Sequence, residues 1–115
     1  MITILKVKID GADLDVEDVS FPLGRHLIVW HLVDEVDETA SLNFKWVDEA
    51  PSIFGKFVQV GTNWGAMSDT HLTHDDDGGW RYQLSLNMDG RKYSTRARRR
   101  VGVIGNGGNP NIRND

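Results

Sequence analysis

Cysteine is absent from the 115 residues. No disulfide, thiolate nucleophile or cysteine-ligated metal can form, which fits a reducing compartment. No apolar run approaches membrane-spanning length. The opening Met1–Lys6 lacks a basic region followed by a long apolar stretch, so no signal peptide is expected and a cytoplasmic location is the default. No segment combines helical spacing of apolar residues with capping signals, so no helix is expected. The chain has no internal repeat. It also lacks the nucleophile elbow of a hydrolase, the His-Glu-x-x-His of a zinc protease, and the Lys-Ser/Thr that would turn Gly105-Asn106-Gly107-Gly108 into a phosphate loop. The bias is therefore away from an enzyme.

What remains is an ordinary globular composition, 39 % hydrophobic and 26 % charged, at a length that fits one domain. The net charge of −4 is unevenly divided. Residues 1–90 hold six Lys/Arg against sixteen Asp/Glu, a net of −10, while residues 91–115 hold seven against one, a net of +6. Such asymmetry marks an internal electrostatic clasp or a surface for an anionic partner.

The clearest local signal is the stretch from Trp80 to Arg98. Trp80, Tyr82, Leu84, Leu86 and Met88 alternate with Arg81, Gln83, Ser85, Asn87 and Asp89, the period of a strand with one buried face. Asp89-Gly90 follows, the dipeptide suited to a tight hairpin turn. The implied register sets Met88 against Arg91, Leu86 against Tyr93, Leu84 against Thr95, Gln83 against Arg96 and Tyr82 against Ala97. Upstream, residues 2–9 form a first strand. Ile2 and Ile4 point one way and Leu5, Val7 and Ile9 the other, which suggests a bulge or an edge-strand twist near Leu5. Leu14 and Val16 begin a short second strand. Pro22 and Gly24 break the chain. The nearly continuous apolar run from His26 to Val33 implies a central strand buried on both faces. Ser41–Val47 turns Leu42, Phe44 and Trp46 inward, and Ile53–Val60 suggests a further strand with a bend at Gly55. Residues 61–79 are the least regular, and Val101–Ile104 could add a short strand.

About seven short strands imply an all-β domain, a single antiparallel β-sandwich over residues 1–104 followed by a Gly/Asn-rich tail, 105–115. Asp76-Asp77-Gly78-Gly79-Trp80-Arg81-Tyr82 resembles the entry into the late strand of immunoglobulin domains, with Trp30 in the place of the core tryptophan. Trp80 stands where the corner tyrosine would be and Tyr82 where the disulfide cysteine would be. The sandwich is thus immunoglobulin-like or cupredoxin-like in resemblance, without a cupredoxin copper site because the cysteine ligand is missing. The closing Asn109-Pro110-Asn111-Ile112-Arg113-Asn114 is similar to the end of small uncharacterised bacterial sandwich proteins finishing in Asp-Pro-x-Ile-x-Asn, with Asn109 replacing the Asp. That family supplies no activity to carry over.

Three groups of residues are candidates for binding. Arg81, Arg96 and Arg98 share the outer face of the hairpin, and with Arg91, Lys92, Arg99 and Arg100 they form a basic patch able to grip carboxylates or phosphates. The acidic balance of the whole chain argues against nucleic acid. Trp64, between Asn63 and Gly65, is the expected exposed tryptophan, a partner anchor or a lid over the end of the fold. His71, His74, Asp75 and Asp77, with Asp69 and Asp76 nearby, are dense enough to hold a metal, yet match no metal-binding spacing. His31 is expected as a hydrogen-bonded core histidine. The functional expectation is a non-enzymatic binding module for another protein, with no cofactor, as a monomer or an edge-strand dimer. The alternatives are an anion or nucleic-acid binder through Arg91–Arg100, and a metal-binding protein or metal-dependent enzyme through residues 69–77.

Overall fold

The computed structural model of the chain describes residues 2–17, 19–21, 24–47, 53–70, 80–95 and 110–114. These residues form strands and no helix, so the fold is all-β. In chain order the strands are β1 (Ile2–Asp10), β2 (Asp13–Val16), β3 (Val19–Phe21), β4 (His26–Leu32), β5 (Ser41–Trp46), β6 (Val58–Val60), β7 (Trp64–Asp69), β8 (Trp80–Met88), β9 (Arg91–Ser94) and β10 (Asn111–Asn114). No helix among them is long and apolar enough to cross a membrane.

The hairpin forms in the register that alternation implies. β8 and β9 pair antiparallel, with Met88 opposite Arg91 and Leu86 opposite Tyr93. Asp89 and Gly90 take φ of 50° and 72°, the two left-handed positions of the tight turn that Asp-Gly favours. Thr95 continues the pairing. Its N–H donates to the Leu84 carbonyl at 2.9 Å, and its hydroxyl accepts from the Leu84 N–H at 3.0 Å. Tyr82, Leu84 and Leu86 are fully buried. Arg96 and Ala97, the expected partners of Gln83 and Tyr82, lie outside the described residues.

The arrangement of the strands departs from a seven-strand antiparallel sandwich. Ten strands form one connected sheet. Eight of them, in the order β5-β8-β9-β2-β1-β4-β7-β6, nearly close into a barrel. The sheet is mixed: β1–β4, β2–β9 and β10–β3 are parallel. Alternation of side chains reveals which face of a strand is wet, but carries no record of which way the neighbour runs. The parallel β1–β4 pair is also unbroken from Ile2 to Val7, so the bulge expected near Leu5 is absent from that ladder. Ile2 and Ile4 simply face outward. β10 lies within the Gly/Asn-rich tail, and there Ile112 is wholly buried.

The barrel is joined thinly in two places. Between β2 and β9 the ladder consists of one residue pair, Asp13 and Ser94. Between β6 and β5 a side chain does the joining. The Leu42 N–H donates to Gln59 Oε1 at 3.1 Å, and Gln59 Nε2 donates to the carbonyls of Ala40 at 3.2 Å and Gly61 at 2.7 Å. A primary amide offers the same donor and acceptor as a peptide group, so Gln59 stands in for a missing rung.

Aromatic rings fill the space between the walls. β4 and β8 lie across the ring from one another. Trp30 on β4 donates its indole N–H to the Tyr82 hydroxyl on β8 at 2.8 Å, a bond that spans the interior. Phe44 stacks on Tyr82 and on Phe57, with centroids 5.0 and 5.4 Å apart. The Phe57 ring lies so close over Gly65 that a Cβ there would overlap it. Trp46 and Trp80 are half-buried and close one end against Phe54. The molecule measures 41 × 34 × 22 Å.

Candidate interaction face

One of the two broad walls consists of β1, β4, β7 and β6, side by side. Its inward residues are core: Leu5, Val7, Ile28, Trp30, Leu32 and Met67 are all buried. Its outward residues fall into rows fixed by the register. Ile2 lies beside Leu27, and Leu27 beside Ser68. Ile4 lies beside Val29, Val29 beside Ala66, and Ala66 beside Val58. Lys6 lies beside His31, His31 beside Trp64, and Trp64 beside Val60. Lys6 at one corner and the imidazole of His31 are the ionisable side chains of these rows; beyond them β1 turns Lys8 and Asp10 outward, beside Asp15 and Asp13 of β2. Ile2 is 64 % exposed, Ile4, Val58 and Val60 are each 55 % exposed, and Leu27 is 37 % exposed.

This wall corrects three expectations. β4 is buried on one face only: Val29 and His31 are half-buried and Leu27 is exposed. The run from His26 to Val33 is nearly continuously apolar because its outer side, His31 apart, belongs to this apolar face. Trp64 is not a loop residue. It opens β7, is half-buried, and stacks flat on His31 with centroids 3.8 Å apart and planes 12° apart. His31 in turn sits on the outer face, 3.5 Å from Asn63 Nδ2 through its Nε2. The cross-strand stack shields both rings and closes one edge of the apolar area.

The other candidates are placed less fully. Arg81 is half-buried on β8, opposite Asn111 of β10, and its carbonyl accepts from the Val47 N–H at 3.0 Å. Arg91 and Lys92 are exposed at the start of β9. Arg96, Arg98, Arg99 and Arg100 lie outside the described residues, as do His71, His74, Asp75 and Asp77. Among the described residues no three His, Asp or Glu side chains come together as metal ligands. Asp69, next to that loop, is fully buried at the end of β7, opposite the buried His26 of β4.

The apolar wall was missed because its parts are unremarkable one at a time. A signal was present nonetheless. Ile2, Ile4, Leu27, Val29, Val58 and Val60 sit at outward positions where a half-wet strand would carry polar residues. Compared with family models, curated proteins and solved structures, the chain matches none.

Proposed function

We propose that the protein is a non-enzymatic binding module whose contact surface is the outer wall of β1, β4, β7 and β6. The observation that carries this is the unbroken apolar row Ile4–Val29–Ala66–Val58, flanked by Ile2, Leu27 and Val60. These side chains leave on the order of 500 Å² of apolar surface in one place, within the size range of the largest patches on monomers, which are often functional. Exposed apolar area of this extent favours association, because covering it releases ordered water. The chemistry of the face selects another protein with an uncharged apolar surface. It holds no row of cations for phosphate and no cluster of carboxylates for a metal.

The test uses the tagged chain as bait in host extract and beside a second, differently tagged copy. The wild type should retain a protein that Ile4→Lys with Val58→Lys does not retain. Asn43→Lys, exposed on β5 of the other wall, should behave as the wild type. Identical retention by all three chains would reject the face as the contact surface.

A further inference from the structure

We infer that the partner covering this wall is a second copy of the chain, giving a two-fold dimer by wall-on-wall packing. This deepens the reading above and rests on it.

The shape of the face selects the kind of occupant. A helix or peptide needs a groove, or a free strand edge, to settle into. Here the apolar residues stand side by side on the outer face of four adjacent strands. Val29 and Ala66 in the middle are half-buried and low, with Ile4 and Val58 standing at either side. A broad apolar sheet surface is complementary to another such surface, packed at about 10 Å in the manner of two stacked sheets. The chain itself presents one. In a two-fold contact the same patch serves both partners, so it must not set like charges against each other. The charges gather at one end of the wall and leave the apolar rows clear: beyond Lys6, β1 turns Lys8 and Asp10 outward beside Asp15 and Asp13 of β2, and Asp34 to Glu38 lie in the loop after β4. Lys6, at a corner, can keep its ammonium in water while its stem lies on the apolar surface.

The area agrees. Two patches of roughly 500 Å² bury about 1,000 Å² in total, near the lower bound for a specific interface, before any polar rim is added. A contact whose centre holds no charge has the composition of a homodimer interface more than of a transient one. The expected dimer is therefore of modest affinity, with a dissociation constant in the micromolar range.

Sedimentation velocity of the whole chain, at about 1 to 500 μM, brackets that range. The wild type should shift with concentration from the 12.9 kDa monomer to twice that mass. Ile4→Lys and Val58→Lys, made separately, should each weaken association on the order of a hundredfold or more, because a two-fold contact contains every substitution twice. Both should keep the melting temperature of a dilute wild-type sample. Asn43→Lys should dimerise as the wild type does. Should either lysine variant fail to fold, Val58→Thr and Leu27→Ser trim the same face without a charge, and each should still weaken the dimer. A wild type that stays monomeric throughout overturns the dimer. The binding reading then stands if Ile4→Lys with Val58→Lys still loses a host protein, and falls with it if not. A dimer that survives the face variants overturns the inference, since the contact lies elsewhere. A monomer that Ile4→Lys destabilises also overturns it, since the face is then covered within the chain.

Discussion

Tyr82 and Trp30 show how one hydrogen bond can bind two walls. Both side chains are wholly buried, and the indole N–H has its acceptor in the Tyr82 hydroxyl at 2.8 Å. In water that N–H would always find a partner, so burial makes the tyrosine hydroxyl hard to replace. Tyr82→Phe keeps the ring, its stacking on Phe44 and nearly all of its volume. It removes the hydroxyl, and with it the acceptor of the Trp30 N–H. The expected cost is about 1–3 kcal/mol, the penalty for a buried donor left unpaired, read as a lower urea midpoint with an unchanged slope. Ser85→Ala, one position from Leu84 on the wet side of the same strand, should shift the midpoint little. Equal shifts for the two variants would mean that the bond does not hold the walls. Gly65 shows the complementary constraint. The Phe57 ring occupies the space in which any side chain at position 65 would stand, so the aromatic core and the glycine specify each other.

At the scale of the strand, the elements differ in how much their sequence disclosed. β8 and β9 were legible, because Tyr82, Leu84 and Leu86 alternate with polar residues and Asp89-Gly90 fits a left-handed turn. β7 was not legible. Its inward positions are Gly65, Met67 and Asp69, and only one of the three is a large apolar residue. Gly65 is small because Phe57 fills its place, a fact that only the folded chain contains. β6 was blurred for a related reason: Val58 and Val60 point outward while Gln59 points to the seam. The seam itself yields a prediction. Gln59→Leu keeps the size of the side chain and removes its amide, leaving the Leu42 N–H and the Ala40 carbonyl without the partners they have now. The loss should be about 1–3 kcal/mol, and it should be local. Hydrogen exchange at the Leu42 amide should accelerate more than at Leu84 and Leu86, whose strand is paired on the β5 and β9 sides. Uniform acceleration across β8 would show that Gln59 supports the whole fold and not one seam.

The candidate face belongs to the scale of the whole molecule, and so does the difficulty of reading it. Ile4, Val29, Ala66 and Val58 come from four strands spread over 63 residues of sequence, brought side by side by one parallel and two antiparallel pairings. No local pattern records that convergence. The same topology raises the question of whether the two walls fold as one body. They are joined by a single residue pair between β2 and β9 and by the Gln59 amide between β6 and β5. Backbone ladders at those joints are too slight to hold the walls against separation. What opposes it is the interior, where Trp30, Leu32 and Ile28 of one wall meet Tyr82, Leu84 and Phe44 of the other. Separating the walls would expose both inner faces to water at once, at roughly 25 cal/mol for every Å² of apolar surface. Neither wall retains a buried side without the other, so unfolding should be a single transition despite the thin joints. The four tryptophans are placed to test this. Trp30 and Trp64 stand on β4 and β7, Trp46 and Trp80 on β5 and β8. With fluorotryptophan incorporated, the four fluorine resonances should lose native intensity at one urea concentration, coincident with the loss of far-ultraviolet dichroism. Earlier loss at Trp46 and Trp80 than at Trp30 and Trp64 would show that the walls come apart first, and that the joints, not the aromatic interior, set the stability of the molecule.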